Sequence, residues 1–419
     1  MDPSLKGIAQ LFDFDEQRYR KNFLNGCQRL TTPAQTLENV RPLMARMGIT
    51  RIANITGLDR LGIPVVMVCR PNARSIAVSL GKGLTMDSAK ASGLMESVEI
   101  YHAEHIELPL KLLSKRLASH SHNVIDTSRL VSIADSPFHD DTPIMWIEGW
   151  DLMGRCSCWL PYETVHANYT APKAPGHGCF DSSTNGLASG NSLIEAICHG
   201  ICEVIERDAL AVWNHRTKTE RSQTSISLKT INDTDCLNLL RQMAEQGFSV
   251  QLFDITSDIA VPTIYCVLRD DRNPNNHIGI GSGTHPSREI ATIRALTEAA
   301  QVRTTYISGA RDDLTIEEFD DQGRRTKRDH ADRLVDVSQS TRHFQDVPTS
   351  DHDNFLADLT WLLDRLAQGG IEEVVAVNLS QEELDVAVAR VVIPGLEGPD
   401  DHGAFVPGTR LRSLQEAAQ

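Results

Sequence analysis

The sequence predicts an α+β fold, with strands paired in mixed or antiparallel sheets and helices packed beside them. Three observations lead there. Strand-like runs occur in neighbouring pairs joined by short turns, helical runs are long and separate from them, and the two kinds do not alternate in a regular βαβ rhythm. At roughly 150 residues per unit, the chain length suggests about three domain-sized units. Hydrophobic residues at 41% and charged residues at 23% are ordinary globular usage, which excludes disordered and collagen-like classes. Forty-one basic against 56 acidic residues give a formal net charge of -15, which argues against direct nucleic-acid binding or an anionic membrane surface. No apolar run approaches the roughly 20 residues of a membrane span. The opening MDPSLKGIAQLFDFDEQRYRK carries acids and no apolar signal segment. Nine cysteines, an odd number without framework spacing, fit a reducing cytoplasm.

Taken in order, residues 63–68 and 75–78 read as strands separated by the turn residues Arg70-Pro71-Asn72-Ala73. A helix is expected over 87–105, then a strand pair at 144–147 and 156–160. Residues 171–190 are rich in Pro, Gly, Ser and Asn and read as loop, before a long helix over 192–213. Two later stretches share one pattern of helix, glycine, strand, turn, strand. One runs from 237 through Gly247 to 268, the other from 359 through Gly369-Gly370 to 392. A diverged internal repeat and two commonplace αββ units both account for this. A third helix is expected over 287–306, and the charge-dense stretch 311–353 reads as a mobile or insertion-like segment.

The helix SLIEAICHGICEVIERDA puts Leu193, Ile194, Ile197, Ile201, Val204 and Ile205 on one side. Ser192, Glu195, His199, Cys202, Glu203 and Glu206 collect opposite, with Arg207 at the edge. Ser192-x-x-Glu195 also has the form of a capping box. A solvated face usually mixes Lys with Glu at i,i+4, whereas this one stacks carboxylates without a lysine. Such pairs repel by a few tenths of a kcal/mol in water, and a cation between them would turn the repulsion to use. A solvated face and a metal-binding face both remain open at this point. Glu96 and Glu99 repeat the device at i,i+3 on the earlier helix. Oxygen-only ligands favour Mg²⁺ or Ca²⁺ over zinc or copper. On the third helix Arg294, Glu298 and Gln301 share a stripe, and Arg303 projects from nearly the opposite side. Residues 79–85, SLGKGLT, resemble a phosphate-cradling turn but do not meet the GxxxxGK[ST] spacing. Cys156, Cys158, Cys198 and Cys202 lack the paired CxxC groups of a zinc site and read as inert buried thiols.

The stretches ITRIANITGLDRLGIPVVMVCRPNARSIAVSLGKGLTMDSAKASGLMESVE, TNGLASGNSLIEAICHGICEVIERDA and RALTEAAQVR, in that order, resemble the YcaO family. The likeness runs from about Gly26 to Glu397. It implies a YcaO-like α+β fold with an ATP site between packed helices and sheets. It also implies an ATP-dependent enzyme that phosphorylates a peptide amide oxygen before a nucleophile attacks the activated carbon. By that resemblance Glu96, Glu99, Glu195, Glu203 and Glu206 hold Mg²⁺ against the ATP phosphates, and Arg207 and Arg294 are phosphate ligands. Glu195, Glu203, Glu206 and Arg207 form the expected catalytic set. Ser192, Glu298 and Gln301 complete the nucleotide pocket, approached by Ser79 and Lys82. Lys21 and Arg29 fall where the family has basic nucleotide contacts, although Asn25-Gly26-Cys27-Gln28 departs from its glycine-threonine pattern. The implied organisation is an N-terminal segment over 1–60 contributing to the nucleotide site, a catalytic domain over 61–397 containing αββ units at 234–268 and 356–393, and a tail over 398–419.

The nucleophile is a separate matter. The chain's ending, VVIPGLEGPDDHGAFVPGTRLRSLQEAAQ, lacks the PxPxP tail of azoline-forming members. The run Arg390-Val391-Val392-Ile393-Pro394-Gly395-Leu396-Glu397 is similar to the branch that works beside TfuA proteins. That branch installs backbone thioamides, so the resemblance implies a TfuA-like partner, a sulfide source, and a precursor peptide or ribosomal protein segment as substrate. It also implies a homodimer. No winged-helix leader domain is expected at the N-terminus, which leaves substrate recognition to a partner. The alternatives are an azoline-forming cyclodehydratase acting on Ser, Thr or Cys, and a non-catalytic nucleotide-binding partner.

Overall fold

The computed structural model describes residues 8, 10–11, 16–273, 275–334, 342–398 and 406–417. Strands β1 (Arg51–Asn54), β2 (Val65–Cys69) and β3 (Val78–Lys82) form an antiparallel meander. There follow β4 (Leu110–Ser114), β5 (Pro143–Asp151), β6 (Cys156–Pro161) and β7 (Leu187–Gly190). A second meander comprises β8 (Phe248–Asp254), β9 (Thr263–Asp270) and β10 (Gly279–Thr284). Strands β11 (Val375–Asn378) and β12 (Ala387–Val392) enter the larger sheet, ordered β4-β5-β11-β12-β7 with β6 on β5. The sheets are antiparallel throughout, so the α+β expectation holds.

The helices are α1 (Pro33–Val40), α2 (Met86–Glu104), α3 (Lys115–Ser121), α4 (Leu193–Asn214) and α5 (Lys218–Ser222). After them come α6 (Thr234–Glu245), α7 (Arg288–Ser308), α8 (Asp321–Leu334), α9 (Phe355–Gln368) and α10 (Thr409–Ala417). Among the described residues no helix is long and apolar enough to cross a membrane.

One local device occurs three times. Strand β3 leads to Thr85 and α2, β7 to Ser192 and α4, and β10 to Ser287 and α7. Each hydroxyl caps its helix by accepting a backbone N–H of the first turn, from Ser88, Glu195 and Ile290 respectively. The helices then lie back on the sheets. On β10 the alternate residues Gly279, Gly281 and Gly283 meet the backbone of α7 at Ala299, Ala295 and Ala291. A Cβ on Gly281 would lie 2.4 Å from the Ala295 carbonyl oxygen, and one on Gly283 would lie 2.2 Å from that of Ala291. Helix and strand touch backbone to backbone.

Helix α4 is not a surface helix. Ile194, Ile197, Ile201, Val204 and Ile205 pack with Leu359, Leu362 and Leu366 of α9 and with Ala389 and Val391 of β12. Each fully buried side chain of this size contributes about 1.5–3 kcal/mol. Cys198 and Cys202 join the same core. The solvated-face reading of this helix is therefore overturned, since Glu195 and Glu206 are only 1% and 3% exposed.

Three differences from the sequence reading bear on the site. Residues 187–190, expected as loop, form β7, whose four residues are all buried against β12. The sequence LASG has no β-branched residue to mark it. The strand expected at 75–78 instead runs Val78–Lys82, so Ser79 and Lys82 belong to a sheet and not to a phosphate-cradling turn. Within 311–353, α8 occupies Asp321–Leu334, while 335–341 lies outside the described residues, so the mobile-segment expectation is untested there.

The close approach at β10 generates a prediction. Gly281→Ala should cost about 1–3 kcal/mol through overpacking against backbone that cannot yield. It should also weaken nucleotide binding, because α7 carries Arg294 and Glu298. Thermal melts and ATP titrations read the two effects, and an unaltered melt would refute the contact.

Candidate active site

A cavity of about 650 Å³ opens between α2, α4, α7, β3, β7 and residues 25–36. Helix α2 contributes Glu96 and Glu99, α4 contributes Glu195, Glu203, Glu206 and Arg207, and α7 contributes Arg294, Glu298 and Gln301. Lys82 at the end of β3 and Arg29 from the N-terminal segment complete the charged lining. Residues far apart in the chain, singled out from their patterning or from the resemblance, thus share one space.

Three other sequence-predicted residues stand off the lining. Ser192 caps α4, 3.4 Å from the Glu195 nitrogen. The reciprocal half of its capping box is not made. The Glu195 carboxylate instead accepts from the Leu30 backbone N–H at 3.1 Å, from Asn191 Nδ2 at 3.0 Å and from Arg29 at 3.4 Å. Ser79 is buried in β3. Lys21 is buried beneath the N-terminal segment, its Nζ 2.7 Å from Asp358, 2.6 Å from Gln28 Oε1 and 2.8 Å from the His352 carbonyl. It anchors the strand-like pairing of Phe23 with Arg29 and so steadies the segment carrying Arg29.

The carboxylates divide by what holds them. Glu99 accepts the Ser189 N–H and hydroxyl, both at 2.8 Å, and Glu206 accepts the Ser282 hydroxyl at 2.7 Å. Glu298 accepts from Lys82 at 2.6 Å. Burial opposes the charge on Glu298, but Lys82 and Arg207 overcome it and hold its carboxyl below the usual range. Glu96, Glu99 and Glu203 go the other way. Burial raises Glu96 to about 7 despite the pull of Lys82. Burial raises Glu99 to about 8, against the Ser189 bonds and with repulsion from Glu96 and Glu203 added. Burial raises Glu203 to about 7, with Arg207 pulling against it and Glu206 repelling. These three are open to the cavity yet shielded from bulk water by the surrounding protein.

Such a donor set fits a hard divalent cation, which takes oxygen ligands and relieves their mutual repulsion. Among the described residues no three His, Cys, Asp or Glu side chains are grouped so as to hold a metal ion by themselves. Mg²⁺ does not require such a group, because it is usually held by one or two carboxylates together with substrate phosphates and water. The opposite charge is also provided for. Arg294 donates to His199 Nε2 at 3.1 Å, while its Nε is buried without an acceptor among the described residues. A buried guanidinium donor left open at a cavity wall suits a phosphate oxygen. Sequence reasoning missed Asn191, Ser189, Ser282 and the cavity-lining Arg311. Ser189, Ser282 and Asn191 meet Glu99, Glu206 and Thr36, partners distant in the chain, and a lone Ser or Asn beside glycine carries no periodic signal.

Known proteins resemble this chain in sequence and in fold. The family described as YcaO cyclodehydratase, ATP- and Mg²⁺-binding, matches residues 80–397. An uncharacterized protein encoded in the tfuA 3′ region of Rhizobium leguminosarum bv. trifolii is 32% identical over 377 residues, 88% of each chain. Among solved structures, YcaO from Methanopyrus kandleri, bound with AMPPCP and Mg²⁺, superposes with a TM-score of 0.73 at 24% identity, over 93% of this chain and 98% of that one. A heterocyclase in complex with substrate and cofactor gives a TM-score of 0.78 at 24% identity over 94% of this chain, which spans only 56% of the heterocyclase.

The raised carboxylates predict a pH dependence. Glu96, Glu99 and Glu203 bind protons more tightly folded than unfolded. Their stabilisation is therefore full below the ordinary carboxylate range and is lost as pH rises through about 7 to 8. Burial holds His199 and His285 well below the ordinary 6.5, so they penalise the fold only beneath that value. The melting temperature of the protein alone should rise as pH is lowered from about 8.5 to about 6.5. Mg·ATP should stabilise more at the higher pH, where the cation need displace no proton. Glu203→Gln should flatten the first trend and shrink the second. A wild-type profile flat over this range would contradict the assignment.

Proposed function

Because the chain belongs to the YcaO family, an ATP- and Mg²⁺-binding one, we propose that it activates a peptide backbone amide with ATP and then exchanges the amide oxygen for sulfur. The observation that carries the activation step is the convergence of five glutamates from two helices with Lys82, Arg207 and Arg294 on one cavity. Glu96, Glu99, Glu195, Glu203 and Glu206 would hold Mg²⁺, and a bound ion would neutralise phosphate charge and so ease phosphoryl transfer. Arg207 and Arg294 grip phosphate oxygens, with Lys82 and Arg29 beside them. Gln301 and Glu298 bound the nucleotide on the α7 side, while Ser192, Ser79 and Lys21 act from behind by fixing α4, β3 and the N-terminal segment.

The chemistry balances as follows. The amide oxygen attacks the γ-phosphorus, ADP leaves and the amide nitrogen loses its proton. Hydrosulfide then adds to the carbon. The C–O bond breaks, inorganic phosphate carries the oxygen away, and the proton on sulfur passes to nitrogen to give the thioamide. Positioning and electrostatics supply most of the rate in such transfers.

The sulfur step is supported by the relative encoded 3′ of tfuA. A TfuA-like protein is the companion we propose, delivering sulfide, and the substrate is a precursor peptide or ribosomal protein segment. A cytoplasmic homodimer belongs to the same reading. The matching family, a cyclodehydratase one, favours one rival, in which a Ser, Thr or Cys side chain of the substrate attacks in place of sulfide and water is lost.

Two measurements test this. Glu203→Ala and Glu206→Ala should each lower substrate-dependent ATP turnover roughly 100-fold or more while the fold persists, since even outer-shell partners of metal ligands cost 10–100-fold. Unchanged turnover would remove the metal assignment. Tandem mass spectrometry of a peptide treated with this chain, Mg·ATP, sulfide and a TfuA-like protein should find one backbone oxygen replaced by sulfur. Loss of one water instead would move the chain to the azoline-forming enzymes.

A further inference from the structure

Arg390, which opens the run similar to TfuA-associated proteins, lies apart from the large cavity. It sits on β12 and is 3% exposed. Its Nε and Nη1 are buried, and no acceptor among the described residues reaches them. A guanidinium cannot shed its proton. A buried one with open donors is therefore a costly arrangement unless something fills the space before it.

Arg390 lines a second cavity, of about 50 Å³. Its polar wall includes Arg390 with Thr164, Asp181, Ser183 and Asn185, and its apolar wall includes Val131 and Leu396. Asn185, another lining residue, has a buried amide oxygen without a partner among the described residues. Glu397 borders the cavity too, but its carboxylate is occupied by the backbone N–H groups of Gly408 at 2.7 Å and Leu411 at 3.0 Å. Tyr169, Glu203 and Asp181 act on Arg390 through space, yet none of them forms an ion pair with it among the described residues. The two cavities share their walls. Glu203 lines the large one and Val204 the small one; Thr184 lines the large one, and Ser183 and Asn185 the small one.

Volume and lining narrow the occupant. The space is too small for a nucleotide or a peptide. Its apolar walls disfavour a strongly hydrated anion, whereas a weakly hydrated one suits both those walls and a guanidinium, itself weakly hydrated. We propose that the Arg390 pocket holds hydrosulfide, the anionic nucleophile, one wall away from the phosphate cavity. This rests on the thioamide reading above and adds to it a seat for the sulfur.

The test uses the full chain with a peptide that the wild type modifies, Mg·ATP, and sodium sulfide as the sulfur source. Arg390→Gln should raise the KM for sulfide about tenfold, the effect of losing one charge-assisted hydrogen bond, and high sulfide should recover the rate. Arg390→Lys should fall between. Asp181→Asn, which removes a competing negative charge, should lower the sulfide KM. Crystals soaked in bromide, a weakly hydrated stand-in, should show an anomalous peak at the guanidinium. Sulfur uptake with an unaltered sulfide KM in Arg390→Gln, or a raised one in Asp181→Asn, would overturn the pocket while leaving the thioamide reading standing, as would water alone at the guanidinium. Loss of water without sulfur uptake by the wild type would overturn both.

Discussion

Everything in the cavity depends on three helices lying in backbone contact with the strands that precede them. A side chain between helix and strand would set them several ångströms further apart and make their spacing a matter of rotamers. At Gly281 and Gly283 there is no such layer, and α7 rests on β10 at Ala291, Ala295 and Ala299. Gly81 does the same for α2, where an added Cβ would meet the Ala89 carbonyl at 2.0 Å. The seating of the helices then determines where Glu96, Glu99, Arg294 and Glu298 project. The Thr and Ser caps at 85, 192 and 287 set where each helix begins, so rotation about its axis is determined as well. Loop-borne ligands could not be held as closely.

That rigidity explains how the chain sustains charges that oppose folding. Glu96, Glu99 and Glu203 are raised because burial and mutual repulsion disfavour their anions. A softer scaffold would let them swing toward water or toward the arginines. Lys82 answers Glu298 and leaves the others to wait for a cation. The same logic applies to Arg294, whose Nε is buried at the cavity wall without an acceptor among the described residues. Carboxylates and guanidinium held apart in one space constitute a site prepared for a ligand carrying both signs, as a metal nucleotide does.

Much of this was legible in the sequence, for identifiable reasons. The fold class followed from strands in adjacent pairs, and the long helix α4 followed from its apolar periodicity and its Ser192 cap, which are local signals. The glutamate stripes were legible because carboxylates stacked at i,i+3 and i,i+4 without lysine are unusual. What escaped was non-local. Strand β7 is built of LASG, and only its pairing with β12 makes it a strand. Lys21 was expected at the nucleotide, yet its partners are Asp358 and His352, which no spacing rule could bring near it. Asn191 matters because it donates to Glu195 and accepts from Thr36, a relay visible only once α1 and α4 meet. The capping box at Ser192 was half right, because local geometry predicted its backbone bond while Glu195 found stronger partners across the fold.

Helix α4 shows why successive residues in one motif can serve different ends. An α-helix turns about 100° per residue, so neighbours in ERDA and the residues before it enter separate compartments. Glu203, Glu206 and Arg207 face the large cavity, and Val204 faces the Arg390 pocket. Asp208 turns to a third place, where it accepts from Arg410 of α10 at 3.0 Å and from the Glu397 N–H at 2.9 Å. Burial lifts Asp208 to about 6 even with Arg410 beside it, so the tail helix supplies the charge that keeps this end of α4 in place. Glu397 reciprocates by accepting the Gly408 and Leu411 N–H groups. A change at Arg410 would therefore reach Arg207 through a single intervening residue, without touching the cavity. The density of function on two turns of one helix follows from this rotation, because a rigid rod between three compartments transmits any displacement to all of them.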